Sequence, residues 1–205
     1  MNPHKSVLQH AYDLPNLVSL LNVILGFLSI VAVTSDAVLV ALILMQAAVF
    51  FDHLDGHLAR RHPNREMSQK QFGGELDTLA DLINFGVVPG LICFALLGQT
   101  LIGVLVGLII LTAGVLRLAY FTVYSSGQNG FFGITTTYAG FALGVVVALL
   151  KTFELSVYPA LPLAVITLAV TEISTFRMPK FQYSIWAVLI ATSLVAGWLY
   201  LVFQG

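Results

Sequence analysis

Four aspartates stand out in a chain otherwise poor in charge: Asp52, Asp55, Asp77 and Asp81, within the stretch FDHLDGHLARRHPNREMSQKQFGGELDTLADLINFGVVPG. On a helix, residues three or four apart share a face, so Asp52 with Asp55 and Asp77 with Asp81 each make a pair of neighbouring carboxylates. Two such faces turned toward one another gather four. In surroundings of low dielectric they repel, and they must either take up protons or hold a cation between them. All-oxygen ligation suits a hard divalent ion such as magnesium or manganese.

The rest of the chain supplies those surroundings. Its 205 residues are 58% hydrophobic and 9% charged, with a mean hydropathy of +0.92, whereas soluble domains carry roughly a quarter charged residues. The expected class is all-α: a polytopic membrane bundle forming one domain over residues 1–205. No basic stretch offers a surface for nucleic acid. Cys93 is the one cysteine, which excludes a disulfide within the chain, and its apolar setting makes it a packing residue. The opening MNPHKSVLQHAYDLPN lacks the apolar core and cleavage site of a signal peptide, so the first apolar run is expected to stay as a membrane helix.

Residues 1–13 form a juxtamembrane segment in which 3–13 read as either a short interfacial helix or an unstructured leader. Apolar runs follow at 14–33 and 37–51, the second with a helical pattern that continues through Asp52, Asp55, Ala59 and Arg60. Residues 61–72 read as a polar, basic loop broken by Pro63. A third span is expected over 73–97, and others over 101–124, 135–150, 158–174 and 184–203, seven in all with the fifth and sixth short. The second and third spans then form a hairpin with all four aspartates near one membrane face. Lys5, Arg60, Arg61, Arg65, Lys70, Arg177 and Lys180 fall at that same side, Arg117 lies nearer to it, and only Lys151 falls opposite. Retention of basic residues in the cytoplasm makes that side cytoplasmic.

Small residues accompany the acids. Gly56 and Ala59 follow Asp52 by four and seven positions on its face, and Gly73 precedes Asp77 by one turn. There they would let a planar or phosphate-bearing ligand approach the backbone. A hairpin whose aspartates merely reach headgroup water gives these residues no role.

Written out, the pattern is D-x2-D-G-x2-A-R-x12-G-x3-D-x3-D. It resembles the signature of the CDP-alcohol phosphatidyltransferases, membrane enzymes with a six-helix core that join a lipid to a polar alcohol and release CMP. The gap between Arg60 and Gly73 is longer than usual in the family, an insertion that a polar loop tolerates at small entropic cost. The resemblance implies that Asp52, Asp55 and Asp77 hold two divalent ions, Mg2+ or Mn2+. Asp81 would be the general base toward the acceptor hydroxyl, with further metal ligation by Asp81 left open. It implies that Gly56 and Ala59 lie on the cytidine side, that Arg60 and Gly73 belong to the CDP-lipid site, and that the enzyme is a homodimer.

Flanking segments are similar to the branch whose acceptor is serine. They are PNLVSLLNVILG, GGELDTLADLINFGVVPG and LRLAYF. Ser19, Asn22 and Gly26 share one face of the first; Ser19 and Asn22 either meet the CDP-lipid or serve small-polar helix packing. Arg117, a charge inside a span, requires a partner: the serine carboxylate, the lipid phosphate or Glu172. Arg177 and Lys180 in ISTFRMPKF either hold donor phosphates or anchor a helix at anionic headgroups. Thr135 and Thr137 stand where that branch commonly has proline, and Tyr120 where many members have a basic residue, which marks the acceptor pocket as different. His53, His57 and His62 do not match ligand positions. The implied activity is transfer of a phosphatidyl group from CDP-diacylglycerol to L-serine at the cytoplasmic face of the cell membrane. Inositol, glycerol, glycerol phosphate or choline would be acceptors for the same chemistry. A cation transporter would use the acids but needs neither a nucleotide nor these small residues.

Overall fold

The fold is that of a computed structural model, which describes residues 6–124, 131–178 and 184–204. Hydrocarbon offers backbone amides no hydrogen-bond partners, so apolar runs must satisfy themselves as helices. α1 (Val7–Ala11) is a short helix capped by Ser6, whose side chain and backbone exchange hydrogen bonds with Gln9. It leaves Val7, Leu8 and the following Tyr12 exposed, as an interfacial helix would. α2 (Leu14–Thr34) has Pro15 in its first turn, where proline's missing amide costs nothing. α3 (Val38–Arg61) carries the first acidic pair. α4 (Met67–Asp81) carries the second and runs through one π-helical turn, Leu82–Val87, into α5 (Val88–Leu96).

The remaining helices are α6 (Leu101–Tyr124), α7 (Thr136–Thr152), α8 (Val157–Glu172) and α9 (Ile185–Gln204). Five units are long and apolar enough to cross a membrane: α2, α3, the continuous α4–α5 rod, α6 and α9. The shorter apolar helices α7 and α8 bring the set to the seven expected. The described residues contain one two-residue antiparallel ribbon, β1 (Phe131–Phe132) against β2 (Arg177–Met178), with Phe132 opposite Arg177.

The expected loop 61–72 is shorter than the sequence suggested. α3 stops at Arg61, just before Pro63, and α4 begins at Met67, where Glu66 and Gln69 form a capping box. Hydropathy marks where a helix enters lipid, and α4 starts two turns earlier. Asp77 and Asp81 therefore sit in its last turns, deep in the rod.

α2 lies along both α3 and α4, while α3 and α4 touch each other sparingly. The acidic faces thus meet across a gap floored by α2. Gly26 makes the close approach possible, since a Cβ there would lie 2.6 Å from Ile83 Cγ2 and 2.8 Å from Asn84 Oδ1. Elsewhere Gly90 and Gly107 bring α5 and α6 backbone to backbone, with a Cβ on Gly107 only 2.8 Å from the Gly90 carbonyl oxygen. Leu42, Met45, Phe85, Ile92, Leu143, Leu161 and Leu199 are fully buried between the helices, whereas Phe27, Leu105, Leu163 and Ile190 face outward as lipid-facing side chains do.

Candidate active site

One carboxylate oxygen from each of Asp52, Asp55 and Asp77 lies within 4.8 Å of the other two. Asp81 completes the group, its carboxyl set against Asp52, which also meets Thr137. The pairs are brought together as their spacing predicts, Asp52 and Asp55 from the C-terminal turns of α3, and Asp77 and Asp81 from the end of α4.

Hydrogen bonding within the group is incomplete. Ser19 donates to Asp55 Oδ2 at 2.5 Å, which fixes that carboxylate from the α2 side. His53 Nδ1 lies 2.9 Å from the Val49 carbonyl and 3.4 Å from Asp52, so the ring turns along its own helix. Asp77 Oδ1 and Asp81 Oδ1 are buried with no hydrogen-bond partner among the described residues. Oxygen ligands of one hard divalent ion lie about 2.0–2.6 Å from it, so three oxygens this close can share an ion. The two orphaned oxygens are buried acceptors within this same group of four residues. The donor set fits hard divalent cations, and without one the repulsion of buried carboxylates is uncompensated.

Asn22 and Asn84 lie one turn deeper. Asn84 donates to the Asn22 and Ala80 carbonyls at 2.9 and 3.1 Å, while both side-chain polar atoms of Asn22 and Oδ1 of Asn84 are buried without partners among the described residues. Buried amides left open in this way are polar capacity waiting for a ligand or water. Gly56 is half-buried, and a Cβ there would meet little besides Arg60 Nη1 at 3.4 Å. Ala59 is half-buried one turn on, and Arg60 acts electrostatically on Asp55.

Gly73 has a different neighbourhood. A Cβ there would collide with Asn16 Oδ1 and come within 3.1 Å of Arg65 Nη2, so its missing side chain admits a contact between α2 and α4. Arg65 holds that contact: it pairs with Asp13, donates to Asn16 Oδ1 at 2.6 Å and to the Gln69 carbonyl at 3.3 Å. Arg117 donates from Nε to the Ile134 carbonyl at 3.1 Å, with Glu172 as its electrostatic neighbour. Arg177 contributes backbone to the β1–β2 ribbon, and Lys180 lies outside the described residues.

The sequence did not single out Asn84, Thr137, Asn16, Asp13 or Arg65 as partners of the site. Thr137 had a visible signal, a threonine where proline was expected. Thr135, two residues earlier, caps α7 by accepting from the Tyr138 amide at 3.3 Å.

Comparison with known proteins gives the same reading. An archaetidylserine synthase of Methanothermobacter thermautotrophicus is 35% identical over 171 residues, 82% of this chain and 70% of the relative. A CDP-diacylglycerol-serine O-phosphatidyltransferase of Helicobacter pylori is 31% identical over 197 residues, 90% of this chain and 81% of the relative. One of the same description from Bacillus subtilis is 31% identical over 132 residues, 63% of this chain and 72% of the relative. The CDP-alcohol phosphatidyltransferase model matches residues 12–203. With the acidic quartet converging as that chemistry requires and the match running almost end to end, the chain belongs to the CDP-alcohol phosphatidyltransferase family.

Proposed function

We propose that this enzyme transfers the phosphatidyl group of CDP-diacylglycerol to the hydroxyl of L-serine, giving phosphatidylserine and CMP. The observation that carries the reading is the convergence of three carboxylate oxygens within 4.8 Å, with Asp81 set against them. The relatives differ in the lipid their names carry, archaetidyl in one and diacylglycerol in the others, and agree on serine.

Asp52, Asp55 and Asp77 are the residues that would hold two divalent ions, with Asp81 as a further ligand. When bound, such ions neutralise the pyrophosphate and polarise the attacked phosphorus. Asp81 takes the proton as the serine oxygen forms its bond to the lipid-linked phosphorus and the bond to the CMP oxygen breaks. A positioned base of this kind is worth about 10² to 10⁴ in rate. Ser19 orients Asp55 through its 2.5 Å hydrogen bond. Gly56 and Ala59 keep the α3 surface low enough for the cytidine, Arg60 faces the phosphates, and Asn22 offers open amide groups to the same ligand. The basic residues around this end support a site on the cytoplasmic face of the cell membrane.

An acceptor panel tests the reading. Purified protein with CDP-diacylglycerol and magnesium or manganese should release CMP with L-serine and not with inositol, glycerol, glycerol phosphate or choline. CMP release with one of those alcohols and none with serine contradicts it.

A further inference from the structure

Glu172, in the last turn of α8, is 1% exposed, and among the described residues neither of its carboxylate oxygens has a hydrogen-bond partner. A carboxylate buried without partners costs several kcal/mol unless it takes up a proton or something cationic completes the site. The charge nearest in effect is Arg117, also buried. Its Nε donates instead to the Ile134 carbonyl, and its guanidinium lies 5.7 Å from the centre of the Phe121 ring. A carboxylate and a guanidinium therefore sit near one another without closing a salt bridge.

The chain links this pair to the acidic quartet. Gly133 is packed against the backbone carbonyls of Thr171 and Glu172, and the Ile134 amide donates to the Thr171 carbonyl at 3.2 Å. The Ile134 carbonyl then takes the Arg117 bond, and three residues on Thr137 meets Asp52. Three residues of chain span at most about 10 Å. One short segment, 133–137, thus touches both the pair and the acidic quartet.

We propose that Glu172 receives the ammonium group of the acceptor and Arg117 its carboxylate, so that this pair selects a zwitterionic amino alcohol. The assignment rests on the transfer to serine proposed above. One buried negative and one buried positive group form a site of no net charge, complemented by a molecule that carries both charges a few bonds apart. An uncharged polyol leaves both groups unsatisfied, and a phosphorylated alcohol sets its dianion against Glu172. Sites built to pair a polar substrate group reject analogues lacking it far more strongly than apolar pockets do.

The test compares wild type with Glu172→Gln, which keeps shape and removes charge, on L-serine and on glycerate, which has the hydroxyl and carboxylate without the ammonium. Loss of a buried charge partner predicts a KM for serine raised at least about 30-fold, glycerate use unchanged or improved, and partial recovery of serine binding in Glu172→Asp. An equal fall on both acceptors, or an unchanged KM for serine, overturns the assignment. Wild type alone supplies a second arm that needs no variant to fold: L-alanine should compete with serine, and propionate should not. Equal competition by the two overturns it as well. CMP release from wild type with an uncharged alcohol and none with serine contradicts the transfer reading together with this one. Serine-dependent release with selectivity unchanged in Glu172→Gln contradicts this one alone.

Discussion

A buried carboxylate oxygen without a partner is tolerated where a ligand supplies one, and Asp77 and Asp81 each keep such an oxygen beside Asp52 and Asp55. Ser19 acts on the group from outside it. Groups that hydrogen-bond to metal ligands set their orientation, and losing one costs about 10- to 100-fold in metal affinity or activity. Ser19→Ala is therefore expected to raise the divalent-ion concentration needed for half-maximal CMP release by that factor, which a metal titration of activity reads directly. Asp81→Asn is expected to lower kcat by about 10² to 10⁴ while largely sparing donor binding. Single-turnover CMP release alongside CDP-diacylglycerol binding separates the two effects, and retained turnover would remove Asp81 as the base.

At the scale of elements, the spacing of the acids was enough to place them, because three and four residues on any helix select one face. Their depth was not. Hydropathy located the third span from residue 73, whereas the Glu66–Gln69 capping box starts α4 at Met67. The π-turn Leu82–Val87, which turns Asn84 and Phe85 inward, had no signal in the pattern of apolar residues. Asn84, Asn16 and Arg65 meet their partners across 62, 53 and 52 positions of chain, and no local periodicity reports contacts of that range. The glycines were legible as close-approach residues in general, but Gly73 turned out to admit Asn16 and Gly107 to admit the Gly90 backbone. Gly107→Val should force α5 and α6 apart at a cost of about 1–3 kcal/mol, seen as a Tm lowered by roughly 2–12 °C in detergent, with the acceptor preference unchanged.

At the scale of the whole molecule, membrane crossing by α2, α3, the α4–α5 rod, α6 and α9, with α7 and α8 between, sets which solution each loop meets. The basic residues predict that the exposed turn between α3 and α4 faces the cytoplasm and the turn after α7 faces out. Cys93 is fully buried and supplies a silent background for labelling. In sealed inside-out vesicles, Asn64→Cys should react with an impermeant maleimide and Glu154→Cys should be protected; the reverse pattern would place the acids on the other side.

The account depends on the four aspartates meeting around divalent ions. Direct titration of Mn2+ into the purified protein, read by the loss of free-ion EPR signal, tests this apart from catalysis. The expected result is saturable binding close to two ions per chain with CDP-diacylglycerol present, weakened at least about tenfold by Asp52→Asn or Asp77→Asn. Binding that is absent, or equal in wild type and both variants, would contradict it.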